Sequence, residues 1–476
     1  MSGRSAVPPN REPIGGASRN AAARELAAAS VAGQPALPSV AVLLAAGLAI
    51  GVGLLLALAL TTAAGLSADW GPRWRALAQV HGQVMTVGWA GLFVLGMASR
   101  LLPRFSGARL RFPALLGVAA GCLAGGLILR ALVQPFAALP GSRALLVFSG
   151  VAVALGAASF ALSLYGTLAR PLRERRPFAA FCAAGGCWLI VSGLLTVWAL
   201  VRAGRDGAFT VAASDDAPLI LVEFYGFLLC FVLGVSLRTI PTLFAWKPPA
   251  WLVWFAFLTL QGGLVLAGAA RLAEAGGHAG VWPLTAAGRL LLAIALLAAV
   301  SCMGVWRLGA RLRENSRPIA LLLRCAYAWL AVTSLLLAYG AARGLQLQAE
   351  APAAIEDAAR HVFALGVVST LIVGMAYLVG HMFAVERAES VAMARRIRIY
   401  AVLLGAAVVL RAGGALLEER GVLAARYWPM AMAAVLALAA LALFTWRLVW
   451  GLRHPYLDER ARRGGLIGTS INPSTR

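Results

Sequence analysis

The stretch HGQVMTVGWAGLFVLGMASRLLPRF, residues 81–105, opens with a histidine, runs through an apolar helix and closes on two arginines flanking a proline. About 20 mainly apolar residues cross a bilayer as one helix. The segment therefore reads as a single crossing with a basic exit. Its second half, FVLGMASRLLPRF from Phe93, returns as FVLGVSLRTIPTLF from Phe231 and as LIVGMAYLVGHMF from Leu371. The anchoring glycines Gly96, Gly234 and Gly374 are 138 and 140 residues apart. A second set recurs every 140 residues: YGTLARPLRER from Tyr165, VWRLGARLREN from Val305 and TWRLVWGLRHP from Thr445. Self-similarity at a fixed period marks a chain built from repeated units. RPF (Arg176 to Phe178) and RPI (Arg317 to Ile319) each place a proline where the next unit's first helix should begin.

Composition agrees. The 476 residues are 61% hydrophobic and 13% charged, with a mean hydropathy of +0.81, which excludes a soluble globular chain and indicates a polytopic membrane protein. Twelve spans are expected near 38–62, 79–102, 112–133, 143–168, 178–201, 217–241, 250–272, 280–303, 318–342, 359–384, 396–416 and 425–450. The predicted fold class is an all-α polytopic membrane protein of twelve transmembrane helices in three pseudo-symmetric four-helix units, about 38–172, 178–312 and 318–451. Residues 1–37 read as a disordered cytoplasmic tail without a cleavable signal, and residues 452–476 as a cytoplasmic C-terminal tail.

The net charge of +23 is a topology signal rather than a nucleic-acid footprint. Of the 42 Lys and Arg residues, 28 fall on the two tails and on the connections after even-numbered spans, and 12 on the opposite side; Arg289 and Arg324 lie inside spans. The positive-inside rule then makes both termini cytoplasmic. All six cysteines lie in spans, where a thiol is a small packing residue, so no disulfide is expected.

Only five histidines are present. His81 opens the second span and His361 the tenth at nearly the equivalent repeat position, while Glu223 stands close to that position in the sixth. Singly, each histidine reads as readily as a buried side chain satisfied by a carbonyl. As a pair on separate helices at matched depth, they can approach a planar haem from opposite faces and each give one imidazole nitrogen to the iron. Arg73, Arg75, Arg360 and Arg426, near the same membrane face, are candidate partners of the haem propionates. His381 lies about 20 residues, roughly 30 Å, further along its helix, too far to share that iron. Glu223 and His381 are further metal-ligand candidates, and Arg289 is the expected ion-pair partner of Glu223, since an unpaired charge in lipid costs several kcal/mol. His278 and His454 read as loop and interfacial residues.

Three pseudo-symmetric units resemble the catalytic subunit of haem-copper oxidases. More specifically, HGQVM (81–85) and its apolar continuation, HVFALGVVSTLIVGMAYLVGH (361–381) with His361, Gly366 and His381, and GVSLRTIPTLF (234–244) resemble the NnrS-like family of bacterial membrane haem and copper proteins. The resemblance implies a b-type haem, an inner-membrane location and a role in nitric oxide handling, denitrification-linked stress or respiratory redox chemistry, with a redox partner. It also implies copper, but Gln83 stands where that family has a second histidine, and Val84 where it has a glutamate. Without further histidines in the central spans, a complete binuclear oxygen or nitric oxide reductase is not expected. The competing readings are a haem-free permease for a small or anionic solute, using Glu223 and Arg289, and an accessory subunit of a respiratory complex. Membrane lipid is an expected partner; nucleic acid is not.

The charge asymmetry yields a direct test. A reporter active only in the cytoplasm should work when fused after Arg476, whereas activity of a periplasm-only reporter there would reverse the orientation.

Overall fold

The computed structural model describes residues 37–137, 139–208, 210–307, 312, 316–378, 390–419 and 426–453. The expected tails fall almost wholly outside the described residues, as do His381 and His454. Among the described residues there is no strand, and twelve helices are long and apolar enough to cross a membrane. They are α1 (Ser39–Gly65), α2 (Pro72–Ser106), α3 (Pro113–Phe136), α4 (Ser142–Arg173), α5 (Pro177–Arg205), α6 (Ala213–Leu243), α7 (Ala250–Ala275), α8 (Trp282–Met303), α9 (Arg317–Leu347), α10 (Ala353–Leu378), α11 (Met393–Leu417) and α12 (Tyr427–Val449). The proline of each RP pair falls in the first turn of α5 or α9, where its missing N–H costs nothing.

Nine helices form a closed ring. The order α1, α3, α4, α5, α7, α8, α9, α11, α12 makes each a neighbour of the next, and α12 packs back on α1. Inside the ring stand α2, α6 and α10, which touch one another. Their apolar windows are 83%, 72% and 83% buried, against 33–61% for the ring helices, whose outward faces are left for lipid.

The three central helices share a local device. Each widens into a π-helical turn: Val84–Gly91 in α2, Val222–Leu228 in α6 and Val362–Ser369 in α10. These turns begin 138 and 140 residues apart, the intervals of the sequence repeat, and it is here that the three helices meet. The fifth residue of each is a glycine, Gly88, Gly226 or Gly366, lying under Leu48 of α1, Trp188 of α5 or Trp329 of α9. A Cβ at Gly226 would be 2.8 Å from Trp188 Cγ, and one at Gly366 would be 2.6 Å from Trp329 Cγ. Both helix pairs therefore approach more closely than any side chain permits. Hydrogen bonds join the same turns: Thr86 donates to Glu223 (2.6 Å) between α2 and α6, and Trp89 Nε1 to Ser369 (3.3 Å) between α2 and α10. All six cysteines are free, as expected of thiols used for packing.

This packing predicts unequal responses to one substitution. Gly366→Ala drives a methyl into the Trp329 ring and should cost about 1–3 kcal/mol. Gly405→Ala in α11, with open space around the new methyl, should be neutral or stabilising by up to about 1 kcal/mol through helix propensity. Thermal unfolding of the detergent-solubilised variants measures the difference.

Candidate functional site

A cavity of about 390 Å³ lies between α2, α6 and α10 at the end where these helices begin, walled further by α1, α3, α11 and α12. Its size falls within the range of small-molecule and cofactor sites. Leu54, Met85, Trp89, Phe224, Val368 and Ala437 give it largely apolar walls, and its polar groups gather at two poles.

The first pole holds the two histidines, and both line the cavity. His81 Nδ1 is 2.8 Å from the carbonyl oxygen of Gly53 in α1. That carbonyl belongs to the π-helical turn Ala49–Leu54, and a Cβ on Gly53 would collide with the Met85 sulfur beneath it. His361 Nδ1 is 2.9 Å from the carbonyl of Asp357 and 3.2 Å from its carboxylate, which is itself 2.7 Å from Arg411 Nη1. With each Nδ1 engaged by an acceptor, the proton belongs on Nδ1 and the lone pair on Nε2. Among the described residues neither Nε2 makes a hydrogen bond. The expectation of a carbonyl-satisfied histidine is thus met by Nδ1 of each ring.

The second pole is a buried polar network. Glu223, 3% exposed, accepts from Thr86 (2.6 Å), Ser192 (3.3 Å) and Gln83 (3.4 Å). Gln83 also donates to Thr196 (3.0 Å), and its carbonyl oxygen accepts from Arg130. Arg130 Nε donates to Gln134 (2.7 Å), and Gln134 to Gln79 (3.0 Å). Gln79 exchanges two hydrogen bonds with the backbone of Val211, of 2.8 and 3.0 Å, clamping the α5–α6 connection over the cavity.

One expected pairing is corrected. Glu223 does face the interior, but Arg289 is not its partner. Arg289 pairs instead with Glu350 (3.3 Å) and Glu356, in a cluster that Arg271 and Glu274 complete. The reason is reach: the α9–α10 connection carries Glu350, and the first turn of α10 carries Glu356, to Arg289 of α8, whereas α6 presents Glu223 to α2 and α5. Of the four arginines expected to face a haem, Arg75 and Arg360 line the cavity. Arg73 lies over the Phe136 ring (5.9 Å) and Arg426 over the Tyr427 ring (4.6 Å), and neither is in the lining. Arg411 and Arg130, which do line it, enter the sequence reading only as two of the 12 basic residues on the side opposite the tails. His278 is exposed, with Nδ1 3.2 Å from the Ala273 carbonyl. Among the described residues no group of three or more His, Cys, Asp or Glu side chains is placed to hold a bare metal ion.

Comparison with protein families and with curated proteins gives no match for this chain.

Asp357 is the hinge of the first pole, since it serves His361 and Arg411 together. Asp357→Ala leaves a half-buried guanidinium without its ion pair, so a loss of about 3–5 kcal/mol is expected. Asp357→Asn, which keeps an acceptor for Nδ1, should lose less. Unfolding midpoints in detergent rank the two.

Proposed function

We propose that this chain is a bis-histidine b-type haem protein of the inner membrane, NnrS-like in kind and arranged in the three-unit plan of the haem-copper oxidase subunit. The observation that carries the reading is that His81 and His361, from equivalent repeat positions, line one cavity with both Nδ1 atoms held and neither Nε2 hydrogen-bonded among the described residues. Two protein nitrogens are too few for a bare ion. They would serve a cofactor that brings further nitrogen ligands of its own. The recurrence of the π turn and its glycine at the repeat interval supports the three-unit plan.

In this reading His81 and His361 would hold the iron, and a bound haem would supply reversible one-electron chemistry for transfer or sensing linked to nitric oxide or respiratory metabolism. The rest is done by the chain. The Gly53 carbonyl and the Asp357 carboxylate fix the two ring orientations, and Arg411 holds the Asp357 carboxylate in place. Leu54, Met85, Trp89 and Phe224 exclude water, and Arg75 and Arg360 offer charge to the propionates. Copper has no place in it, because Gln83, at the position of the family's second histidine, is already committed to Arg130, Thr196 and Glu223.

The test is spectroscopic. Purified protein should be red, with a low-spin reduced-minus-oxidised spectrum and a b-type pyridine haemochrome. His81→Ala and His361→Ala should each abolish or convert the low-spin signal while still inserting in the membrane. Full retention of that signal in both variants, or colourless wild-type protein reconstituted with excess haem, defeats the proposal.

A further inference from the structure

Arg130 is 2% exposed and lines the cavity, yet makes no ion pair among the described residues. Its Nε donates to Gln134 and its Nη1 to Gln83, both neutral amide carbonyls. Its Nη2 makes no hydrogen bond among the described residues. Two carboxylates share the cavity lining. Glu223 is turned toward Thr86, Ser192 and the Gln83 amide, with Gln83 standing between it and Arg130. Asp216 makes no direct ion pair among the described residues; of the cations around it Arg130 acts on it most strongly through space, and Gln79 donates to it. A guanidinium withdrawn from water costs several kcal/mol unless an anion meets it. Arg130 is also held rigid: two of its nitrogens are fixed by glutamines that are themselves anchored, Gln134 through Gln79 to the Val211 backbone and Gln83 through Thr196. Such a fork, held rigid on a cavity wall, suits a planar oxyanion.

We propose that Arg130 is an anion subsite of this cavity, taking a carboxylate or similar small oxyanion group on Nη2, with Gln83 and Gln134 as its positioning residues. The anion is either a propionate of the cofactor or a free solute, and only the first source rests on the haem reading.

The experiment separates the two sources and does not rely on activity. Haem-depleted protein is titrated with haem and with haem dimethyl ester, which lacks the propionate charges, and equilibrium dialysis with labelled formate is run in parallel on the same preparation. If the cofactor supplies the anion, wild type prefers haem at least tenfold, Arg130→Gln loses that preference, and Arg130→Lys keeps part of it. If a free solute does, the two porphyrins bind alike and formate binds saturably to wild type but not to Arg130→Gln. Discrimination that persists in Arg130→Gln gives the carboxylate to Arg75 or Arg360 and overturns the proposal. So does wild-type protein showing neither ester discrimination nor saturable formate binding, a result that needs no variant to fold. Failure to take up either porphyrin sinks the haem reading alone and leaves the formate arm to decide.

Discussion

A helix can stand in the middle of a twelve-helix bundle only if it offers its neighbours small residues for close approach and finds an internal partner for each polar group it carries. In α2, α6 and α10 both conditions are met in one wide turn. Glycines under Trp188 and Trp329 let the ring helices come in close, and the hydroxyls and indole of the same turns tie the three helices together. The cavity is a consequence. Where the central helices cross, they are locked; toward the end where they begin, they part, and the opening is bounded by what the first three to four turns of each helix carry. Those turns carry His81, Gln83, Asp216, Glu223, Asp357 and His361.

The sequence was informative wherever the signal was local or periodic. Twelve apolar runs sufficed for the helices, and the spacing of Gly96, Gly234 and Gly374 foreshadowed the spacing of the π turns. The histidine pair was legible because the repeat placed both residues at one depth, and depth is the coordinate that position along a helix supplies. Rotation about the helix axis is not supplied. Arg73 and Arg75 are two residues apart and equally basic, but only Arg75 turns to the cavity. The partners of Arg289 were missed for a related reason, since Glu350 belongs to a connection whose path depends on α9 and α10 docking first. Arg130 and Arg411, counted among the basic residues on the side opposite the tails, are far enough inside their helices to be covered by neighbours that no local pattern announces.

The two poles divide the cavity by chemistry. One offers neutral nitrogen donors and a carboxylate–guanidinium pair. The other is a chain of amides and hydroxyls in which a cation and a carboxylate are kept apart by Gln83. Amide groups hydrogen-bond both signs of charge without cancelling either, so such a chain keeps buried charges available to a guest. An ion pair of the Arg271–Glu356 type fixes structure instead, and it belongs to the α7, α8 and α10 ends rather than to the cavity.

The acceptor that orients His81 is a main-chain oxygen, and this gives the ring an unusual genetic insulation. Side-chain anchors can be lost or exchanged by one codon change; the Gly53 carbonyl cannot be edited away, because every residue at that position would supply the same atom. What can change is the path of α1 that aims it, and that path depends on a widened turn and on the space beside Met85. Drift in this protein should therefore reach the His81 tautomer through the geometry of a neighbouring helix, while the His361 side, which leans on the Asp357 carboxylate as well as its carbonyl, stays open to retuning by a single replacement.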